Sequence, residues 1–185
     1  LNKVMPQALG VELFHNFTLM HDDIMDEAPI RRGKPTVHEK WNTNVAILSG
    51  DVLFVKAYQL IVKAESRFLH KIVALFNKTA TEICEGQQLD MNFETQVDVS
   101  MSSYLKMIRF KTAVLLACSL KIGALVADAS DEDQENLYHF GIHIGIAFQL
   151  MDDILDVYGD QKDFGKQVAG DILSNKKTCL YITAH

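Results

Sequence analysis

The feature that most constrains this chain is a cluster of aspartates at the end of an apolar stretch with helical periodicity, Leu19–Asp26. The cluster comprises Asp22, Asp23 and Asp26. Its first and last members are four residues apart and share one helix face, and three carboxylates within about one turn repel one another unless cations are present. Two arginines, Arg31 and Arg32, follow after a proline. Carboxylates that gather metal, beside guanidiniums that bind anions, predict a site for a metal-complexed phosphate.

The same acidic spacing recurs far down the chain, at the end of the apolar run Phe148–Asp156. This second cluster comprises Asp152, Asp153 and Asp156, and the basic residues that follow it are Lys162, Lys166, Lys176 and Lys177. A single cluster of this kind fits a solvated helix end equally well. Two copies, each closing a hydrophobic helix and each followed by cations, favour two Asp-rich helices that hold several Mg²⁺ ions around one diphosphate.

Composition limits the other possibilities. A chain of 185 residues suits one domain, and 48% hydrophobic with 23% charged residues is ordinary for a globular protein with a real core. The net charge of −6 argues against nucleic-acid binding. Three widely spaced cysteines favour a reducing, cytoplasmic compartment. The longest apolar stretch, residues 113–127, is too short and too polar for stable membrane insertion.

Apolar residues recur at helical spacing along the whole chain, and strand signals are weak, so we predict an all-α fold. The predicted helices span about 6–26, 44–64, 66–94, 100–127, 130–158 and a last segment from about 174. The first of them carries the first acidic cluster, and the fifth carries the second. Pro29, Gly33 and Pro35 mark residues 28–43 as a loop, and Asn44, Ser100 and Ser130 are predicted N-caps.

In these motifs the chain resembles the trans-isoprenyl diphosphate synthases, or polyprenyl synthetases. The resemblance rests on the two aspartate motifs, the Arg-Arg-Gly after the first, and four further segments: Gly86–Asp90, Lys111–Ala113, Phe164–Ile172 and Asn175–Thr178. All occur in the family's order, from about Val11 to the last residue. The resemblance implies an isoprenoid synthase helical bundle with a central apolar cavity, here a single domain spanning residues 1–185. It also implies that the family's N-terminal isopentenyl diphosphate motif and C-terminal helices lie outside this sequence.

The resemblance further implies the residues of the site. All six aspartates would bind Mg²⁺, about three ions once diphosphate is present, with Asp22, Asp26 and Asp152 as principal ligands. Together with Lys111 and Lys176, those three form the catalytic set. The implied substrate-binding residues are Arg31, Arg32, Gln87, Asp90, Lys111, Thr112, Gln149, Lys166 and Lys176. In the family's pattern the first arginine faces the allylic diphosphate and the second faces isopentenyl diphosphate.

The implied reaction is a Mg²⁺-dependent head-to-tail condensation of an allylic diphosphate with isopentenyl diphosphate, by an enzyme that is a homodimer. In this family an aromatic residue at the fifth position before the first aspartate stops chain growth early. Phe17 holds that position, and Phe14 and Thr18 lie near it on the same helix. We therefore predict a farnesyl or geranylgeranyl product, with geranylgeranyl slightly favoured, rather than a longer polyprenyl chain.

Three other interpretations fit parts of the sequence. A class I terpene cyclase shares the fold and the first motif, but generally replaces the second motif with an Asn/Asp, Ser/Thr and Glu pattern. A non-catalytic subunit of a heteromeric synthase usually loses aspartate motifs, and both are intact here. An acidic helical scaffold would bind cations only incidentally. The intact second motif and the paired arginines favour condensation over all three.

Overall fold

A computed structural model describes residues 2–159 and 176–184 of the chain. These residues form two compact units. The first contains Leu1–Ala74 with Leu125–Asp128, and the second contains Leu75–Ala124 with Ala129–His185. The division falls within one long helix, Ser66–Thr95. The prediction of a single domain stays a prediction.

The first unit is built on two long helices, α1 (Met5–Met25) and α3 (Thr43–Ile61). Between them lie a two-stranded hairpin, β1 (Ile30–Arg31) and β2 (Lys34–Pro35), and the short helix α2 (Val37–Lys40). Pro6 lies in the first turn of α1, where its missing N–H is harmless. The Asn42 side chain caps α3 by accepting a hydrogen bond from the Val45 amide at 2.9 Å. The cap therefore lies two residues before the predicted Asn44, because Asn42 has the extended backbone that a cap requires.

The second unit contains most of α4 (Ser66–Thr95), followed by α5 (Met101–Ile108), α6 (Val114–Val126), α7 (Asp131–Tyr158) and α8 (Cys179–Ala184). Ser100 caps α5 and Ser130 caps α7, as predicted, each accepting a hydrogen bond from an amide three residues on at 3.1 Å. One π-helical turn, Arg109–Ala113, joins α5 to α6. The sequence predicted one uninterrupted α-helix there.

Helices dominate the described residues, and β1 and β2 pair only with each other. The all-α fold class is therefore confirmed. In the first unit α1 packs on α3 through fully buried side chains that include Phe14, Ala57 and Ile61. In the second unit Tyr104, Phe93 and Ile108 form a buried cluster. Complete burial of each large apolar side chain contributes about 1.5–3 kcal/mol.

Helix α3 has a second apolar surface that the described residues leave open. Its length and composition would allow it to cross a membrane, and only 22% of the relevant window is buried. That criterion does not separate a membrane span from a helix that packs against protein. Most of the exposed apolar side chains follow one stripe along the helix, namely Val45, Leu48, Val52, Val55 and, just after the helix, Val62.

Candidate active site

The first acidic cluster lies at the C-terminal end of α1, where the structure brings it into contact with one predicted arginine. Arg31 donates from Nε to Asp23 Oδ1 at 2.7 Å and from its Nη2 to Asp22 Oδ2 at 3.3 Å. Asp23 is buried, whereas Asp26 is the exposed C-cap of the helix. Burial raises the pKa of the Asp23 carboxyl, and the Arg31 guanidinium opposes that rise. Arg31 therefore offsets the charge of the inward-facing carboxylate.

Arg31 and Arg32 separate because they belong to a tight hairpin. Arg31 pairs with Lys34, which leaves Arg32 and Gly33 as the two-residue loop. Both loop residues have positive φ, +52° at Arg32 and +73° at Gly33, as the primed hairpin turns require. Glycine adopts that conformation readily, whereas a side chain there costs about 1–2 kcal/mol. Arg32 is exposed at the tip, on a strained backbone of the kind that concentrates at functional sites.

Both acidic clusters end helices, and this placement bears on metal binding. The C-terminus of a helix carries a partial negative charge, so carboxylates there are unfavourable unless a cation is bound. Neither α1 nor α7 has a basic residue in its last turn. Within the described ranges, no three His, Cys, Asp or Glu side chains are grouped as a complete metal cage. An all-oxygen donor set of a few carboxylates fits Mg²⁺, which takes its other ligands from substrate phosphates and water.

In the second unit, the π-helical turn presents two adjacent predicted residues to different helices. Lys111 Nζ donates to Asp90 Oδ2 on α4 at 2.6 Å, and Thr112 Oγ1 donates to Gln149 Oε1 on α7 at 3.1 Å. The structure thus brings together four of the predicted substrate-binding residues. An ammonium and a hydroxyl side by side suit a phosphate oxygen or a developing charge.

Two glycines leave room for this turn. A Cβ on Gly86 of α4 would overlap the backbone of Phe110 and Lys111, and a Cβ on Gly145 of α7 would overlap Ala113. Both helices therefore contact the turn at backbone distance. Single π-helical turns inside α-helices occur often at functional sites. The close approach explains why the single-helix prediction for residues 100–127 missed the turn, since the partners are distant in sequence.

Gln87 lies one residue after the Gly86 contact. Its amide nitrogen is buried and donates no hydrogen bond to any group in the part of the chain that the structure describes. A buried donor without an acceptor costs about 1–3 kcal/mol. An acceptor such as a substrate oxygen or water would remove that cost, so the geometry suits the predicted substrate-binding role of Gln87.

The three members of the second acidic cluster have different environments. Asp152 and Asp156 are half-buried and four residues apart, so they share a face of α7. Asp153 is 3% exposed and accepts a hydrogen bond from the Tyr104 hydroxyl at 2.6 Å. Burial, and then the neighbouring Asp153 carboxylate, raise the pKa of the Tyr104 phenol, which therefore stays protonated and donates.

Two lysines and three residues of α1 remain among the predicted site residues. Lys166 lies outside the described residues, and Lys176 is half-buried just before α8. Phe14 is fully buried in α1, Phe17 is half-buried, and Thr18 donates from its hydroxyl to the His15 carbonyl at 2.8 Å.

Two side chains beside Phe17 were missed by the sequence analysis. Phe54 of α3 stacks on Phe17 with ring centroids 4.9 Å apart, and His21 meets it edge-on at 4.6 Å. A Cβ on Gly50 would overlap the His21 imidazole, so this glycine makes room for the ring. The Gly50 interruption of an apolar helix was the signal in the sequence, and its meaning depended on a partner 29 residues away.

Comparison with known proteins shows which family the chain resembles. The sequence profile of the polyprenyl synthetase family matches residues 1–185. The geranylgeranyl diphosphate synthase of Methanosarcina mazei is 49% identical over 186 residues, covering 100% of this chain and 57% of the relative. A crystal structure of a geranylgeranyl pyrophosphate synthase is 51% identical with a TM-score of 0.94, covering 98% of this chain and 55% of that one. The polyprenyl synthase of Caulobacter crescentus, solved with calcium and isoprenyl diphosphate, is 33% identical with a TM-score of 0.92, covering 100% and 55%.

The fold and the two acidic motifs define an isoprenoid synthase-type helical protein. The chain belongs to the polyprenyl synthetase family. It spans a little over half the length of the relatives to which it is compared.

Proposed function

We propose that the protein carrying this chain is a trans-prenyltransferase. It condenses an allylic diphosphate with isopentenyl diphosphate and releases pyrophosphate and a proton. The main support for this proposal is that predicted acidic and basic residues are in contact within each unit. Arg31 contacts Asp22 and Asp23, and Lys111 contacts Asp90. The proposal is also supported by the family match over the full chain.

The difficult step is departure of pyrophosphate from the allylic carbon. The carbon–oxygen bond breaks, and pyrophosphate leaves with the electron pair. The double bond of isopentenyl diphosphate then forms the new carbon–carbon bond, and loss of a proton restores an alkene. Bound Mg²⁺ would stabilise the negative charge that develops on pyrophosphate. Among residues 2–159 and 176–184 no side chain stands out as the base, and the departing pyrophosphate would accept the proton.

The chain's own residues would act through charge and position. Asp22, Asp26 and Asp152 would hold the metal, and Lys111 with Lys176 would contact the allylic diphosphate. Arg31 contacts the acidic cluster through Nε and Nη2, and its Nη1 would contact a phosphate. Thr112 and Gln149, joined by a hydrogen bond, would turn oxygen atoms towards the positive charge that develops on the allylic carbon and stabilise it.

The direct test is product formation. Purified protein is incubated with isotopically labelled isopentenyl diphosphate and geranyl or farnesyl diphosphate, with Mg²⁺ or with chelator. We expect a longer labelled prenyl diphosphate only in the presence of Mg²⁺. A terpene cyclase would instead convert the allylic substrate alone to a hydrocarbon. A non-catalytic subunit would give neither product, and an incidental cation-binding scaffold would also fail to bind bisphosphonate with Mg²⁺.

Arg32 offers a test of the isopentenyl diphosphate assignment that separates function from strain. Asparagine tolerates positive φ better than arginine, so Arg32→Asn should raise the unfolding temperature slightly. The same variant should raise the Michaelis constant for isopentenyl diphosphate about tenfold or more, because a charged hydrogen-bonding group is lost. Steady-state kinetics and thermal unfolding measure the two effects. Lys34→Asn, which removes a cation from the same hairpin, is the control, and an unchanged constant in Arg32→Asn would remove the assignment.

We further propose that the protein is a homodimer that uses the open stripe of α3. Val45, Leu48, Val52 and Val55 alternate at three- and four-residue spacing, and Val62 follows one heptad after Val55, as the seam positions of paired helices do. Exposed contiguous apolar surface of this kind marks an interaction site. Leu48→Glu with Val52→Glu should halve the mass measured by light scattering, whereas Lys40→Glu, at an exposed position on α2, should not. Equal masses for the two variants would contradict the proposal.

Location and product remain proposals as well. A cytoplasmic location is supported by the three cysteines, which all lie within the described ranges as free thiols. A farnesyl or geranylgeranyl product is supported by the aromatic cluster around Phe17 and by the geranylgeranyl synthases among the similar proteins.

A further inference from the structure

The second acidic cluster contains one carboxylate whose surroundings do not suit metal binding. Asp153 is 3% exposed. It is one of the buried residues of α7, with Tyr138, Gly141 and Gly145. Asp152 precedes it by one residue, which rotates its side chain by about 100° around the helix. The two adjacent aspartates therefore have different surroundings, since Asp153 is buried and Asp152 is half-buried.

Hydrogen bonds already surround the inward carboxylate. Asp153 Oδ2 accepts from the Tyr104 hydroxyl at 2.6 Å and from the Cys179 backbone N–H at 3.1 Å. Asp153 Oδ1 accepts from Gln149 Nε2 at 3.4 Å. A buried carboxylate needs such partners, and O–H and N–H bonds to a charged oxygen are among the stronger ones in proteins. Because Oδ2 already accepts two hydrogen bonds, binding of Mg²⁺ at that oxygen would require breaking at least one of them.

The three donors come from different parts of the chain. Tyr104 is on α5 and is 1% exposed, Gln149 is on α7 itself, and Cys179 is the first residue of α8. Leu150, Cys179 and Ile182 pack around the same buried cluster that contains Tyr104. Asp153 thus joins α5, α7 and α8 at one point. Its contact on α8, Cys179, lies three residues after Lys176.

We propose that Asp153 is a positioning residue and not a metal ligand: through Tyr104 and Cys179 it fixes residues 176–184 against α5 and α7. It thereby holds Lys176 in place, while the metal-binding role of the second motif belongs to Asp152 and Asp156. The assignment of a metal role to the neighbours rests on the proposed prenyltransferase function. The anchoring role of Asp153 does not.

Hydrogen–deuterium exchange tests the anchor without reference to activity. Tyr104→Phe removes one donor and should speed amide exchange in residues 179–184 about tenfold or more, since bonds to charged groups contribute about 1.5–3 kcal/mol. Asp153→Ala should do the same, and Asp153→Asn, which still accepts hydrogen bonds, should have a smaller effect. Tyr138→Phe is the matched control, because Tyr138 is a buried tyrosine on α7 outside this network. Exchange in Tyr104→Phe and Asp153→Ala equal to that in Tyr138→Phe would overturn the anchor.

The dependence of turnover and of pyrophosphate binding on Mg²⁺ tests the second part of the proposal, that Asp153 is not a metal ligand. Asp152→Asn should raise the Mg²⁺ concentration for half-maximal turnover, and for calorimetric binding of inorganic pyrophosphate, by about tenfold or more. Asp153→Asn should leave both within about twofold of the wild type. An equal shift in the two variants would make Asp153 a ligand and overturn the proposal. If the wild-type protein forms no prenyl product and binds no pyrophosphate with Mg²⁺, the proposed function fails, while the exchange comparison still decides the anchor.

Discussion

Asp22→Asn and Asp152→Asn should each lower turnover by about a thousandfold or more. Removing a carboxylate that holds metal on the leaving pyrophosphate forfeits several kcal/mol of transition-state stabilisation, and each 1.4 kcal/mol is a factor of ten. Folding stability should change little. Both residues lie near the C-terminal end of a helix, where the dipole does not favour a carboxylate, and the Arg31 contact of Asp22 is partly exposed.

The measurement is kcat at saturating substrates and Mg²⁺, with the unfolding temperature of each variant recorded in parallel. Asp98→Asn removes the same charge from an exposed position outside both motifs and is the control. Turnover within tenfold of the wild type in either motif variant would contradict the two-cluster assignment. A large drop in unfolding temperature would instead point to a structural role for that aspartate.

The two motifs were predictable from sequence because their information is local. Spacing alone places Asp22 with Asp26, and Asp152 with Asp156, on one helix face each. Helix ends were also predictable where a polar cap precedes a periodic run, as at Ser130.

What the sequence could not supply depends on distant partners. The turn at Lys111 exists because Gly86 and Gly145 let two other helices approach its backbone, and no local propensity encodes that approach. The sequence analysis grouped Asp153 with the metal ligands because the motif was read as one unit. The environment of Asp153 depends on which side of α7 is packed. Its hydrogen-bond partner, Tyr104, lies 49 residues away.

The contacts of Arg31 also depend on the fold. The sequence predicted that it would contact substrate phosphate, and in the structure its guanidinium contacts Asp22 and Asp23. The two descriptions are compatible in physical terms. A guanidinium has five donors in a planar fork, and two carboxylate contacts leave others for a phosphate. Sequence gives the residue type and its neighbours, whereas the distribution of those donors depends on the fold.

The aromatic cluster in the first unit carries the prediction about product length. Phe17 contacts three rings: Phe14 at 5.5 Å, Phe54 at 4.9 Å and His21 at 4.6 Å between centroids. It lies five residues, or about 7.5 Å along the helix axis, before Asp22. Phe54 comes from a different helix, so the proposed barrier to a growing prenyl chain would have two walls. The ring of Phe17 is held by its neighbours and cannot turn aside without disturbing them.

Phe17→Ala should therefore shift the main product by one or more isoprene units beyond that of the wild type, and Phe54→Ala should shift it less. Phe14→Ala should lengthen the product further when combined with Phe17→Ala. Because Phe14 is fully buried, that variant should also lower the free energy of unfolding by about 3–5 kcal/mol. Chromatography of the dephosphorylated products from labelled isopentenyl diphosphate measures chain length, and denaturant unfolding measures stability.

Phe68→Ala is the matched control, because it empties a similar volume in the first unit at a site outside the Phe17 cluster. It should lower stability and leave product length unchanged. Lengthening in Phe68→Ala equal to that in Phe17→Ala would mean that general loosening, and not removal of a barrier, sets the product. A wild-type product of six or more isoprene units would show that the prenyl chain already passes Phe17, and the assignment of this ring as the floor would then be wrong.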